Sequence, residues 1–196
     1  MKSLIVLFII SLSAISFSQE DWVLNSISLQ TGKTSLTKGM TISASFSKED
    51  YSFIADFNAD LGEIIAFHNF SENFSLGLSG GFYKNVLWWG PIMTITLFDE
   101  HIKTLHWIGE SFGNSEKRVN QLQNEFMFSY QQISFCFLET EVSYAFQNYY
   151  QFRPEHIFSL KKTFDLNEST SFFGSGGYMK NEEDFLWSIG VFYKFE

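Results

Sequence analysis

The C-terminal stretch Phe185-Leu186-Trp187-Ser188-Ile189-Gly190-Val191-Phe192-Tyr193-Lys194-Phe195-Glu196 has a period of two that decides the fold. In an extended chain one face would carry only large apolar residues, namely Phe185, Trp187, Ile189, Val191, Tyr193 and Phe195. The other face would carry small or polar residues, Ser188, Gly190 and Lys194, between Leu186 and Phe192. Membrane-spanning barrel strands turn apolar residues to lipid and small or polar residues to the interior. About ten residues are enough for a tilted strand to cross a bilayer. The stretch therefore predicts a transmembrane strand.

The composition of the whole chain agrees with this pattern. Of its 196 residues 19% are aromatic, 24 of them Phe, yet the mean hydropathy is only −0.03. Alternating lipid-facing and interior-facing residues cancel in such an average. An aromatic-rich soluble β-sandwich would have the same composition, so composition alone leaves that alternative open.

The charge of the chain excludes one class of partner. The formal net charge is −9 and the sequence pI is about 4.9. A nucleic-acid-binding domain needs a basic face toward the phosphate backbone. Nucleic acid is therefore not an expected partner.

The N-terminus has the features of a secretory signal peptide. Lys2 supplies a positive charge, an apolar run extends from Leu4 to Ile15, and Ser16 and Ser18 are the small residues before a cleavage site. No other apolar run approaches the ~20 residues of a transmembrane helix. We expect residues 1–18 to be removed and the mature chain to enter a membrane as strands.

Alternating segments along the rest of the chain predict an all-β, antiparallel transmembrane β-barrel of about ten strands, with a range of eight to twelve. Residues 19–38 are interpreted as a polar N-terminal lead-in with a possible short strand, and 39–196 as the barrel. Whether the chain turns at Asp60-Leu61-Gly62 or continues as one long strand stays open at this point.

One segment changes phase. Apolar residues occupy odd positions at Ile133, Phe135 and Phe137 but even positions at Val142, Tyr144 and Phe146. A tight turn near Gln132 and one extra residue near Phe137–Glu139 would account for the change. The sequence therefore predicts a β-bulge there.

The aromatic end of the chain resembles the last strand of bacterial outer-membrane β-barrel proteins, although Glu196 follows Phe195 where those proteins usually end in Phe. The resemblance implies an outer-membrane location, contact with outer-membrane lipid, and recognition of Tyr193 and Phe195 by the barrel-assembly machinery. Indole and phenol rings favour the membrane–water boundary. We therefore expect interface aromatics at Trp88, Trp89, Trp187 and Tyr193.

Charged residues on the interior phase predict a cluster inside the barrel. A loop near Gln151 would set Glu141 opposite Lys161, and a turn near Gln132 would bring Glu125 toward Glu139. Charges in a narrow barrel must pair or stay hydrated. The cluster of Glu125, Glu139, Glu141 and Lys161 would either plug the barrel or form a polar constriction that selects cations.

The sequence marks no catalytic or metal-binding residue. His68, His101, His106 and His156 lack metal-ligand spacing, and no cofactor is expected. His156 and Ser159 invite comparison with outer-membrane lipid hydrolases, but a spacing of three puts them on opposite faces of a strand. The lone Cys136 is interpreted as a small buried filler.

Three classes of function remain. The first is a non-enzymatic outer-membrane barrel that acts as a scaffold, a surface protein or a narrow pore. The second is an outer-membrane lipid-modifying hydrolase. The third is a secreted soluble β-barrel that binds an apolar ligand.

Overall fold

The computed structural model describes residues 22–35, 38–83, 86–112, 126–149 and 154–195. These residues form twelve antiparallel strands: β1 (Val23–Lys33), β2 (Lys38–Lys48), β3 (Tyr51–Asn58), β4 (Leu61–Ser71), β5 (Phe74–Tyr83), β6 (Val86–Leu97), β7 (Ile102–Phe112), β8 (Phe126–Phe137), β9 (Thr140–Tyr149), β10 (Glu155–Asp165), β11 (Thr170–Met179) and β12 (Asp184–Lys194). Within these ranges no helix has the length and apolar character to cross a membrane. The predicted signal peptide, residues 1–18, lies outside the described residues.

The strands close into one barrel in which each strand pairs with its neighbours in sequence and β1 pairs with β12. The antiparallel barrel class is confirmed, with twelve strands in place of the predicted ten or so. One reason is that β1 lies within residues 19–38, which the sequence suggested to be a lead-in. Its register with β12 runs from Ser26 opposite Lys194 to Lys33 opposite Trp187. Residues 23–33 are thus part of the barrel wall.

A second reason is the short turn at Ala59–Asp60. The segment that the sequence left undecided is divided there into β3 and β4, which pair from Phe57 opposite Gly62 to Tyr51 opposite His68. Asn58 fixes this turn because its side-chain carbonyl accepts a hydrogen bond from the Asp60 amide at 3.1 Å. Asx turns of this kind need no glycine.

The two faces of the barrel wall differ as the alternation predicts. On β12, Phe185, Trp187 and Ile189 are 72%, 51% and 47% exposed, whereas Ser188 on the opposite face is 7% exposed. On β12 the outward face therefore carries the large apolar side chains, and the inward face carries small and polar ones between Leu186 and Phe192. This is the distribution of a membrane-spanning barrel and the reverse of a soluble one.

The phase change after Phe137 comes from a hairpin turn, and the predicted β-bulge is wrong. β8 continues without a turn through Gln132, and the chain reverses at Leu138–Glu139. Both turn residues have positive φ angles, 45° and 58°, as a type I′ hairpin requires. Such turns usually contain Asn and Gly, so the Leu-Glu pair concealed this one. Irregular register occurs instead at Leu24/Ser26 and Asn69/Ser71.

Inside the barrel, Phe173 packs over the glycine directly across from it. Phe173 on β11 pairs with Gly190 on β12 and is 7% exposed. A Cβ atom at Gly190 would lie 2.5 Å from the Phe173 ring and 2.7 Å from the Leu29 carbonyl oxygen. The missing side chain leaves the space in which the ring lies.

We expect Gly190→Ala to lower the free energy of unfolding by about 1–3 kcal/mol, the usual effect of overpacking. The matched control is Gly174→Ala, also on a strand but with no atom within 4 Å of the added Cβ. Urea unfolding of the protein refolded in lipid vesicles measures both variants. Equal effects would contradict the packing assigned to Phe173.

We expect Leu138→Asn to raise the free energy of unfolding by about 1 kcal/mol, because Asn tolerates the left-handed conformation that costs Leu roughly that amount. Leu166→Asn is the control, since Leu166 is an equally exposed turn residue without a positive φ angle. The same unfolding experiment measures both. A gain in the control as large as at Leu138 would show that the turn conformation is not the cause.

Candidate functional site

The inward face is lined by hydroxyl groups that pair with one another across strands. Ser26 and Ser45 have their oxygens 2.5 Å apart, Ser143 and Ser159 2.5 Å apart, and Ser175 and Ser188 2.7 Å apart. These side chains are short and uncharged, so they leave space in the barrel interior while keeping its wall polar. The inward face is therefore the candidate functional surface.

An acidic pair interrupts this neutral lining. Asp56 on β3 and Glu63 on β4 are direct cross-strand partners on the inward face, and both are half-buried. The Ser43 hydroxyl, across from Asp56 on β2, hydrogen-bonds its carboxylate. The sequence pattern did not single out this pair. Finding it would have required the turn at Ala59–Asp60, which brings two residues seven positions apart into register.

A mixed-charge group lies on another part of the inward face. Cys136 on β8 pairs with Glu141 on β9, and Glu141 pairs with Lys161 on β10. Glu141 and Lys161 are thus opposite each other, as the sequence suggested, and Cys136 is half-buried beside them.

Lys161 directs its ammonium group toward an aromatic ring. Its Nζ atom lies 4.8 Å from the centre of the Phe173 ring, on the strand at the other side of β10. Among the described residues no ion pair within 4 Å joins Lys161 to Glu141. The register brings the two charges to the same face, and the lysine ammonium group makes a cation–π contact with Phe173.

The other two members of the expected cluster are elsewhere. Glu139 is part of the turn at 138–139, and its carboxylate is 3.2 Å from Lys162, an outward-facing neighbour of Lys161. It therefore lies on the rim of the barrel and not on the inward face. Glu125 lies outside the described residues.

The rim that holds this turn also holds the start of β1, the end of β12 and the turns at 49–50, 72–73, 98–101 and 166–169; we term it the terminal end. At this end Lys103 donates a hydrogen bond of 3.0 Å to Glu100 in the turn 98–101. The hydrogen bond and the positive charge lower the pKa of Glu100. Both side chains are exposed, so the contact adds little to stability.

An apolar cluster fills part of the interior near the opposite end. Ala145, Ile157 and Met179 come from three neighbouring strands and are buried, with Tyr130 and Leu186 packed against them. The Tyr130 hydroxyl donates to the Gln132 side chain at 2.7 Å, and Gln132 donates to Ser134 at 2.8 Å. These contacts narrow the interior on the side formed by β8–β12.

Glu155 holds the turn 180–183 at the same end. Its carboxylate accepts hydrogen bonds from the backbone amides of His156, Asn181 and Glu182 at 2.8–3.0 Å. Lys33 contacts Asp184 on the neighbouring strand. The end of the wall between β10 and β1 is therefore tied together by polar contacts.

The four aromatic residues expected at the membrane interface divide between the two faces. Trp89, Trp187 and Tyr193 face outward and are 48%, 51% and 44% exposed. Trp88 faces inward and contacts Trp107 edge to face, with 5.2 Å between ring centres. Adjacent strand residues must alternate, so Trp88 and Trp89 cannot both face the membrane. Phe195 packs against Tyr193 with ring centres 4.9 Å apart.

His156 and Ser159, which the sequence suggested comparing with lipid hydrolases, do not form a common site. His156 faces outward and its Nδ1 atom is 2.8 Å from the Tyr144 hydroxyl, whereas Ser159 faces inward and contacts Ser143. His101 lies in the turn 98–101, and His68 and His106 lie on the outward face. In the described part of the chain no group of three or more His, Cys, Asp or Glu side chains could hold a metal ion.

Solved structures provide the comparison with known proteins. The chain is similar to a KdgM porin, with a TM-score of 0.57 and 13% sequence identity, over 89% of this chain and all of that one. A KdgM porin in complex with disordered oligogalacturonate gives a TM-score of 0.58 at the same identity and coverage. The chain has the fold of outer-membrane porins. No protein-family model and no curated protein sequence matches it.

We expect double-mutant cycles to show that Lys161 is coupled more strongly to Phe173 than to Glu141. A cation–π contact contributes about 0.5–1 kcal/mol when partly exposed, whereas cross-strand charges in a hydrated interior contribute a few tenths. The cycles combine Lys161→Met with Phe173→Leu and, separately, with Glu141→Gln, and urea unfolding in vesicles gives the free energies. A larger coupling to Glu141 would contradict the contact described here.

Proposed function

We propose that this protein is an integral outer-membrane β-barrel that forms a narrow pore for small hydrophilic solutes and favours cations. The observation that carries the proposal is the closed twelve-stranded wall with a hydroxyl-lined inward face. Eight strands enclose a space that side chains fill, whereas porins of sixteen or more leave a water channel. Twelve strands with serine and glycine turned inward leave room for water between these limits.

The outward face supports the membrane location. Leu78, Ile108, Phe158 and Ile189 are each 47–58% exposed although they lie within strands on different sides of the barrel. A soluble protein seldom exposes so much contiguous apolar surface. In a bilayer the same residues contact hydrocarbon, while the strands satisfy their backbone groups by pairing. The similarity of the fold to that of the KdgM porins supports the outer membrane in particular.

The acidic pair supports the preference for cations. Asp56 and Glu63 bring two carboxylates together on the inward wall, where the described neighbours across the strands are Ser43 and Gly81. Neither neighbour carries a positive charge. The KdgM complex contains oligogalacturonate, a chain of sugar acids. A wall with this acidic pair would repel such a polyanion, so we propose neutral or cationic solutes instead.

A scaffold or surface role shares the barrel but not the pore, and conductance separates the two. The lipid-hydrolase alternative is not favoured, because His156 and Ser159 lie on opposite faces of β10. The secreted soluble barrel is not favoured either, because the large apolar residues face outward. Retention in the membrane fraction after alkaline washing tests this last distinction directly.

We expect the purified protein to conduct in planar bilayers and to give a reversal potential of cation-selective sign in a KCl gradient. Asp56→Asn/Glu63→Gln should lower the ratio of potassium to chloride permeability about threefold, because each carboxylate a few ångströms from a passing ion contributes several tenths of a kcal/mol in water.

The control is Glu49→Gln/Glu72→Gln, which removes the same charge from two exposed turn residues. Salt screens the charges of these two residues, because they lie on exposed turns away from the pore axis. The control variant should therefore change the selectivity less than the Asp56/Glu63 variant does. Absence of conductance would refute the pore and leave the scaffold. Conductance with equal selectivity in all three proteins would refute the role of the acidic pair.

A further inference from the structure

An apolar groove of about 460 Å³ lies on the outward surface of β3–β6. Its floor includes Ala66, and its sides include Phe70, Leu76, Leu78 and Pro91. The small side chain of Ala66 leaves a depression between longer neighbours, since Leu78 pairs directly across from it. The lining of the groove is almost entirely apolar, as an acyl chain would require.

Along the strands, the groove extends over one half of the height of the barrel wall. It begins at the terminal end, where Tyr51 is the first residue of β3 and Phe70 is close to the end of β4. It ends at Pro91, in the middle of β6. A strand of this length crosses the whole hydrocarbon layer, so the groove corresponds to a single leaflet. The natural occupant of that space is one lipid molecule and not a molecule that crosses the bilayer.

Polar atoms are concentrated at the terminal end of the groove. His68 is held between the rings of Tyr51 and Phe70, with ring centres 4.9 Å and 4.5 Å away. Its Nδ1 atom is buried and has no hydrogen-bond partner in the described part of the chain. A buried polar atom without a partner costs free energy. A ligand would remove that cost only if the rings of Tyr51 and Phe70 moved to admit its hydrogen-bonding group.

The charged residues near His68 lie at two different distances from the membrane. Lys48 lies directly across from Tyr51 at the end of β2, in the same cross-strand row as His68 but two strands away from it. Farther from the membrane, the exposed turns 49–50 and 72–73 carry Glu49, Asp50 and Glu72. A negative group would therefore fit beside Lys48, and a positive group would fit beyond it.

We propose that the groove binds one phospholipid whose headgroup carries an ammonium group beyond its phosphate. The acyl chain lies along Ala66 and Leu78, the phosphate lies near Tyr51, His68 and Lys48, and the ammonium group lies near the acids of the two turns. The proposal rests on the membrane location proposed above, but it does not depend on the pore. It goes beyond general lipid contact, because it assigns one leaflet, one face and one headgroup class.

Native mass spectrometry of the full-length protein released from vesicles tests the site. The vesicles contain equal amounts of phosphatidylethanolamine and phosphatidylglycerol, which share the phosphate but differ in the ammonium group. We expect one phosphatidylethanolamine to stay bound. Ala66→Phe fills the groove and should reduce its retention about tenfold, an energy of roughly 1.4 kcal/mol. Gly174→Phe, on the open outward surface of β11, should leave retention unchanged.

His68→Phe keeps the ring but removes both nitrogens, and should reduce retention several-fold. Glu49→Gln/Asp50→Asn should abolish the preference between the two lipids without abolishing binding. If Ala66→Phe does not fold, as judged by heat-modifiable migration, Ala66→Leu provides the same test.

Equal retention in Ala66→Phe and Gly174→Phe would overturn the site. Preference for phosphatidylglycerol would overturn the headgroup assignment. A dimer mass that is lost in Ala66→Phe would show a protein interface instead and would also overturn the proposal. If the protein binds the lipid but does not conduct, only the proposed pore is refuted. If the protein leaves the membrane on alkaline washing, the membrane location on which both proposals rest is refuted.

Discussion

The structure depends on one constraint, that every backbone N–H and C=O group in a membrane-spanning strand must find a partner inside the protein. The pairing of β1 with β12 meets this constraint at the one place where an open sheet would leave two edges. It continues to Phe195, whose amide donates to the Asn25 carbonyl at 2.9 Å. A barrel closed in this way cannot spare its first strand, which is why residues 23–33 belong to the wall although their sequence alternates less clearly than that of β12.

Closure also explains which features the sequence could predict. Alternation along a single strand is local, so Trp187, Ile189 and Ser188 could be assigned to their faces from their spacing alone. Turn positions depend on backbone conformation. At Leu138–Glu139 two residues that seldom adopt the left-handed conformation do so. Because neither residue is typical of such a turn, the sequence pattern indicates a bulge where the structure has a hairpin. Trp88 and Trp89 show a related limit of residue type as evidence. Their indole rings suggested the membrane interface for both, but adjacent residues of a strand point to opposite faces.

The charges on the inward face depend on cross-strand register, which a single sequence specifies only through its turns. The Glu141–Lys161 register could be predicted because both strands alternate strongly around a recognisable loop. The register of Asp56 with Glu63 depended on a turn that the sequence left undecided. Two carboxylates side by side repel each other unless one is protonated or water and cations reach them. The pair is therefore a place where the charge of the inward wall depends on its surroundings.

Lys161 and Lys162 show how the wall gives adjacent, identical residues different roles. Lys161 points inward, where the Phe173 ring attracts its charge and Glu141 shares its face. Lys162 points outward near the terminal end, where its ammonium group reaches the Leu138 carbonyl at 2.7 Å and the Glu139 carboxylate at 3.2 Å. A lysine deeper on the outward face would face hydrocarbon without such partners. Long cationic side chains therefore suit the outward face only at its rims, which is also where Lys48 lies. The inward face carries polar side chains as well as the apolar cluster around Ile157, so a charge such as that of Lys161 can lie there away from the rims.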